Sequence, residues 1–313
     1  MQRRPLLRCA NCAKDGKVVR YPLHIRAHRS PVADMPPPPA EGALAHARRG
    51  RTRSALAYDE ALRISDEPAS FSNWSGFELD RSLRLLPLPL GLGLTGPYDW
   101  VTGTWNVPAV TGESGKWTYS AFWVGLDGDN TTDLVQAGTE QDCFTLDFLF
   151  FRLTLTNYYA WTEFLPQQPF EQVITNFAVR PGDEIFTEVW IGNAGSAPTL
   201  AGAFGVFLIM NLTTGVSASI YTPVGATRVG GSEAVWIMER PTVGGALPDL
   251  ADYRSAVMSN AYARRANSAR GQGYVAYQGG RNKQITMVNG PDTLSTVSPI
   301  DAYSMRFDWK AFN

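Results

Sequence analysis

Glycine and proline punctuate this chain so densely that long helices have no room to form. The 313 residues include 29 glycines and 21 prolines, spread along the sequence, and each weakens a helix interior or sets a turn. Between them run segments rich in aromatic and β-branched residues: Thr118 to Gly125, Phe144 to Phe164, Glu184 to Gly192, Ala203 to Met210 and Glu233 to Arg240. Such side chains suit a pleated, half-buried strand. Asp127-Gly128, Pro181-Gly182 and Thr214-Gly215 separate them as turn signals. Gly273 to Tyr277, Gln284 to Val288 and Ser304 to Trp309 add shorter strands. Phe144 to Phe164 is too long for one flat strand and is expected to bend or bulge once. Leu250 to Arg265 alone offers a helical spacing, through Ala251, Val257 and Ala261. About a dozen strands with almost no helix predict an all-β sandwich or barrel of roughly 240 residues.

Charge divides the chain into two parts. Residues 1–54 hold 12 Lys and Arg against 3 Asp and Glu, whereas the rest holds 16 basic and 26 acidic residues. The basic part also carries four consecutive prolines, Pro36 to Pro39, and the cluster Arg48 to Arg53. It lacks hydrophobic periodicity and reads as an extended or disordered N-terminal arm. Tyr21 alone among residues 1–54 is aromatic, short of the interleaving that nucleic-acid binding would require, so docking on the chain's own acidic body is the better reading. Cys9 and Cys12 form a C-x-x-C to which His24 and His28 could supply a second ligand pair. Two thiols in a flexible arm are expected there rather than zinc, and Cys143 reads as a lone buried thiol.

The apolar run Leu83 to Leu94 is broken by Arg84, Pro87, Pro89 and two glycines, so no membrane span is expected. The basic N-terminus has no apolar segment behind it, and no secretory signal is visible.

Histidine narrows the chemistry further. All three, His24, His28 and His46, lie in the arm. Catalysis within the body must therefore work without a Ser-His-Asp or Cys-His pair and without His-ligated metal. Gln136 and Glu239 each follow apolar neighbours within a strand-like run, where an unpaired polar group costs free energy. The turn Asp127 to Asp133 has the look of a calcium loop, but Thr132 and Gly138 stand where such a loop needs Gly and Glu. A solvated turn is expected, with no metal and no cofactor.

Seven short motifs recur in a fixed order: Asn73-Trp74-Ser75-Gly76, Gly103-Thr104-Trp105-Asn106-Val107-Pro108, Trp123-Val124-Gly125-Leu126-Asp127-Gly128, Gln136-Ala137-Gly138, Ala160-Trp161-Thr162-Glu163, Pro181-Gly182-Asp183 and Trp236-Ile237-Met238-Glu239. Together they resemble the glutamic endopeptidases, the eqolisin family, over roughly residues 70–265. The resemblance implies a β-sandwich of two antiparallel sheets, concanavalin-like, at residues 70–313, preceded by a propeptide-like arm at 1–69. It implies a catalytic pair at Gln136 and Glu239, supported by Trp123, Asp127, Glu140, Trp161 and Glu163. Three positions depart from the family pattern: Val235 where an earlier Glu often stands, Tyr159 where Asp is frequent, and Leu165 near the place of a flap tyrosine.

The chemistry fits this inventory. An ionised Glu239 can take a proton from water and return it to the leaving nitrogen, provided donors such as Trp161 and Gln136 favour its charged form. Gln136 can orient the water and donate to the oxyanion. The resemblance further implies polypeptide substrates, action in acid, secretion, and an arm that inhibits the body until it is removed. A monomer without nucleic-acid or membrane partners is expected. Two rivals share the same residues: a catalytically silent sandwich binding peptide or carbohydrate, and a glycosidase built on Glu163 and Glu239.

Overall fold

A computed structural model describes residues 67–80, 96–193, 198–265, 274–277 and 282–313. Residues 1–66, with the arm's cysteines, histidines and Arg48 to Arg53, lie outside the described residues, as does the Leu83 to Leu94 run; residues 67–69, expected in the arm, pair with residues 283–285 of the body instead. The described residues form seventeen strands. In chain order these begin with β1 (Glu67–Phe71), β2 (Trp74–Asp80), β3 (Tyr98–Asn106), β4 (Trp117–Asp127), β5 (Leu134–Asp147) and β6 (Arg152–Leu165). There follow β7 (Gln172–Ala178), β8 (Glu184–Gly192), β9 (Phe204–Asn211), β10 (Val216–Pro223), β11 (Glu233–Glu239) and β12 (Asp249–Leu250). The last are β13 (Ser255–Arg265), β14 (Tyr274–Ala276), β15 (Asn282–Asn289), β16 (Asp292–Asp301) and β17 (Ser304–Trp309).

The ladder folds into two layers. The first runs β1-β15-β2-β11-β4-β5-β6-β7. The second runs β16-β17-β13-β3-β8-β9-β10. Strand β15 belongs to both, because its far end pairs with β16. Pairing is antiparallel except at β1–β15 and β12–β4. The expected sandwich of two antiparallel sheets is therefore present.

Alternation assigns every side chain of the first layer to one of two faces. Phe122, Val124, Leu126, Val135, Ala137, Trp236 and Met238 point between the layers and form the main core. Indole nitrogens stitch the layers together: Trp236 donates to the Thr102 carbonyl at 2.8 Å and Trp105 to the Thr139 hydroxyl at 3.1 Å. Phe122 meets Phe307 edge-on across the same gap. The opposite, outer face carries a second cluster around Trp74, Trp123, Trp161, Val235 and Ile237. The candidate catalytic residues share this outer face.

Two local expectations are corrected. The long run at 144–164 is the end of β5, a tip at residues 148–151, and β6. It reverses completely rather than bending once. Segment 255–265 is a strand, not a helix. Its buried positions are Ala256 and Met258, then Ala261 and Ala263, because a bulge around Asn260 (φ 52°) shifts the alternation by one residue. That shift breaks the period of two that marks a strand in sequence, and Val257, counted in the helical spacing, is exposed.

Candidate active site

Three cross-strand rows on the outer face build the site. The first joins Trp74, Glu239, Ala121, Glu140 and Tyr159. The second joins Gly76, Ile237, Trp123, Gly138 and Trp161. The third joins Glu78, Val235, Gly125, Gln136 and Glu163. Glycine is needed in the middle row, since a Cβ on Gly138 would stand 2.5 Å from Trp123 Cβ and 2.3 Å from the Phe122 carbonyl oxygen. Its absence lets the Trp123 side chain lie across β5.

Gln136, Glu140, Glu163 and Glu239 line one cavity together with Glu171, Pro241 and Thr242. The cavity has about 30 Å³ of room for water, enough to admit a water molecule. Gln136, Glu140 and Glu163 are buried, while Glu171 and Glu239 are half-buried. The Trp123 indole donates to Glu239 Oε2 at 2.7 Å, and the Asn73 amide reaches Oε1 at 3.4 Å. Trp74 flanks the same carboxylate without an N–H in bonding position. Gln136 Nε2 donates to Glu163 Oε2 at 2.6 Å. Gln136 Oε1, Glu163 Oε1 and both Glu140 oxygens meet no donor.

Burial dominates the electrostatics. It pushes Glu239 up to about 7, outweighing the donors Trp123 and Asn73. The expectation that donors hold Glu239 in its charged form is thus corrected: removal from water wins. Burial also pushes Glu171 up to about 8, opposed by Glu140 and helped by the negative charges of Glu239 and Asp142. Glu163 is raised by burial and then by Glu171 and Glu239, against the Gln136 amide. Glu140 is raised by burial and by Glu171 and Asp142 beside it. Asp142 rises to about 6 by burial, opposed by the neighbouring Glu140 carboxyl and by the Asn157 amide, which donates to it at 3.2 Å. Carboxyls this close cannot all ionise, so the cavity holds protons well above the ordinary carboxylate range.

The remaining candidates lie nearby but outside the cavity lining. Trp161 is buried next to Gly138, and its indole nitrogen has no partner. The Asp127 carboxylate accepts from the backbone N–H groups of Gly231, Ser232 and Glu233. It anchors the start of β11 and is fully engaged in doing so. Leu165 is buried in the outer cluster. Cys143 is buried and free, beside the Thr118 hydroxyl. Among the described residues, no group of three or more His, Cys, Asp or Glu side chains is arranged to hold a metal ion.

Sequence reasoning missed Glu171, Pro241 and Thr242. Glu171 sits in the connection from β6 to β7, where no motif or periodicity marks it; the Tyr159 hydroxyl donates to it at 3.3 Å. Asn73 lay within a quoted motif, but its reach to Glu239 follows only from the pairing of β2 with β11.

Comparison with known proteins bears on the family and the fold. The Peptidase A4 family model matches residues 90–302. Aspergillopepsin-2 of Aspergillus niger is 29% identical over 223 residues, covering 64% of this chain and 67% of that protein. Scytalido-glutamic peptidase, solved with a peptide-based transition-state analogue, superposes with a TM-score of 0.55 at 18% identity, covering 76% of this chain and 98% of its own. SCP-B, an eqolisin solved with the tripeptide Ala-Ile-His, gives 0.52 at 18% identity over the same shares. The β-sandwich of this chain is thus the fold of those peptidases, and the chain belongs to the Peptidase A4 family, the glutamic endopeptidases.

Proposed function

We propose that the chain is an acid-acting endopeptidase in which Gln136 and Glu239 carry out hydrolysis of a polypeptide. One observation carries the reading. A buried amide oxygen without a partner, Gln136 Oε1, lines the same water-sized cavity as the Trp123-held Glu239 carboxyl, in a body without histidine. The peptide ligands of the two structural neighbours, one an analogue and one a tripeptide, support a peptide as occupant.

Since burial raises Glu239 to about 7, the cycle in acid starts from its protonated form. Glu239 gives its proton to the scissile carbonyl oxygen as water adds to the carbon. The carboxylate so formed takes a proton from that water, leaving a gem-diol and a neutral Glu239. On collapse, Glu239 protonates the leaving nitrogen and takes a proton back from one diol hydroxyl, so that each transfer is balanced. Gln136 Oε1 orients the water. Its Nε2 has one N–H engaged by Glu163 and one left for the developing gem-diol oxygen.

The chain up to β1 acts in this reading as a basic inhibitory segment of a secreted precursor. Attraction to the acidic body weakens as carboxylates take up protons, and cutting follows near Arg48 to Arg53. N-terminal sequencing after acid incubation checks this: an intact arm on an already active enzyme refutes it, and fractionating culture supernatant checks secretion.

The central test incubates a denatured protein at about pH 2–5 with pepstatin present. Loss of cleavage in both Gln136→Ala and Glu239→Ala is expected. Retention in both variants rejects the pair, and hydrolysis of glycan instead of protein selects the glycosidase.

A further inference from the structure

The outer face does not end at the catalytic rows. Beyond Glu140 and Tyr159, β5 and β6 continue outward as a hairpin whose polarity is inverted. Its inward positions are hydroxyl-bearing: Thr118 bonds with the Cys143 thiol, and the Thr145 and Thr154 hydroxyls meet at 3.3 Å. After the polar pair Asp142–Asn157, its outward positions are apolar. Trp117 lies opposite Phe144, Phe144 opposite Leu155, and Leu146 opposite Leu153. Trp117, Leu153 and Leu155 are 46%, 43% and 52% exposed. The Trp117 ring stacks at a tilt on Phe144, 5.6 Å between centroids. At the tip, Leu149 and Phe150 are 94% and 95% exposed. A normal strand pair places its hydrophobic residues on the covered face. Here they stand on the open one, and contiguous exposed apolar surface marks a binding surface.

We propose that this stripe is an extended subsite for the apolar side chains of the substrate polypeptide, remote from the bond being cut. The occupant follows from continuity. The stripe lies on the same face of the same two strands as Gln136, Glu140 and Glu163. It begins four residues beyond Glu140 and reaches Leu146, about 20 Å along the strand. That is the length of roughly six extended residues of a bound chain. A polypeptide engaged at the cavity therefore reaches the stripe without leaving the sheet. Binding energy from such remote contacts favours unfolded, apolar-rich chains over short peptides. The assignment rests on the peptidase reading.

Two fluorescent peptides test it, one of 6 residues and one of 16 with alternating leucines, titrated onto Glu239→Gln so that binding is read without cleavage. Leu153→Thr with Leu155→Thr, and separately Leu149→Ser with Phe150→Ser, are added to that background. All four sites are exposed, and a thermal melt verifies folding. The first pair is expected to weaken the long peptide about tenfold more than the short one. Equal weakening of both peptides, or none, overturns the proposal. Sedimentation with phosphatidylcholine–phosphatidylglycerol vesicles that is lost in the tip variant, with the peptide ratio unchanged, overturns it in favour of a lipid surface. If the unmodified enzyme cuts neither peptide the peptidase reading fails, while the titration still decides whether the stripe binds apolar chains.

Discussion

A single cross-strand row carries a buried glutamate towards each end, and the two have opposite neighbours. Glu78 lies opposite Lys283 on β15, whose ammonium bonds to it at 2.9 Å. Four strands along the row, Glu163 has no cation among the described residues. Extending the Thr162–Gln172 pair by one residue sets a second acid, Glu171, beside it. Its one donor is the neutral amide of Gln136. The same residue type at the same depth is thus paired with a cation at one end and with a neutral amide at the other. A counter-ion makes a buried carboxylate part of the scaffold; a missing one leaves a proton ready to move.

The strongest way to break this comparison is Glu239→Gln. Without a group that gives and takes protons, kcat should fall by about 10⁴ while the melting temperature hardly moves. Steady-state kinetics beside a thermal melt measures both, and a large stability loss would make Glu239 scaffold after all. Next, Gln136→Ala should cost about 10²–10³ in kcat, with residual activity retaining the native pH profile. At the scaffold end, Lys283→Met should destabilise the fold by about 3 kcal/mol at pH 9, where Glu78 and Asp129 lose their shared cation. The loss should be smaller at pH 5, since Glu78 is raised to about 8 by burial and is then neutral. Urea titrations at the two pH values decide it.

The smallest effect concerns pH. Glu239 and Glu171 rise to about 7 and 8 in the folded protein, so the fold binds more protons than the unfolded chain between pH 4.5 and those values. Their stabilising contribution is complete below the unfolded value and is lost as pH rises through about 7 to 8. The melting temperature should therefore drop by a few degrees from pH 5 to pH 9, and Glu171→Gln should flatten that slope. The profile of kcat/KM should fall over the same interval as Glu239 loses its proton.

Much of this was legible in the chain. Period-two alternation places Trp123, Gln136, Trp161, Glu163 and Glu239 on one face once the strands pair in register, and the motifs quote all five. Glu171 was not legible, because a connection with no periodicity carries it to the cavity. The hairpin tip escaped notice for another reason. Turn prediction relies on Gly, Pro, Asn or Asp, and Phe148-Leu149-Phe150-Phe151 has none. The bulge in β13 hid a strand by displacing its buried positions, an event that depends on neighbours far away in sequence. Asp127 fell inside a motif and so looked functional, although its carboxylate serves the backbone of β11.

The sharing of β15 between the layers has a mechanical consequence. One strand hydrogen-bonded into both sheets acts as a rivet, so neither sheet can slide over the other without tearing a ladder. Shear closure, a common way for two-layered enzymes to grip a ligand, is denied to this architecture. Any clasping of a substrate has to come from the segments that overhang the trough, first among them the short span between β6 and β7 that delivers Glu171.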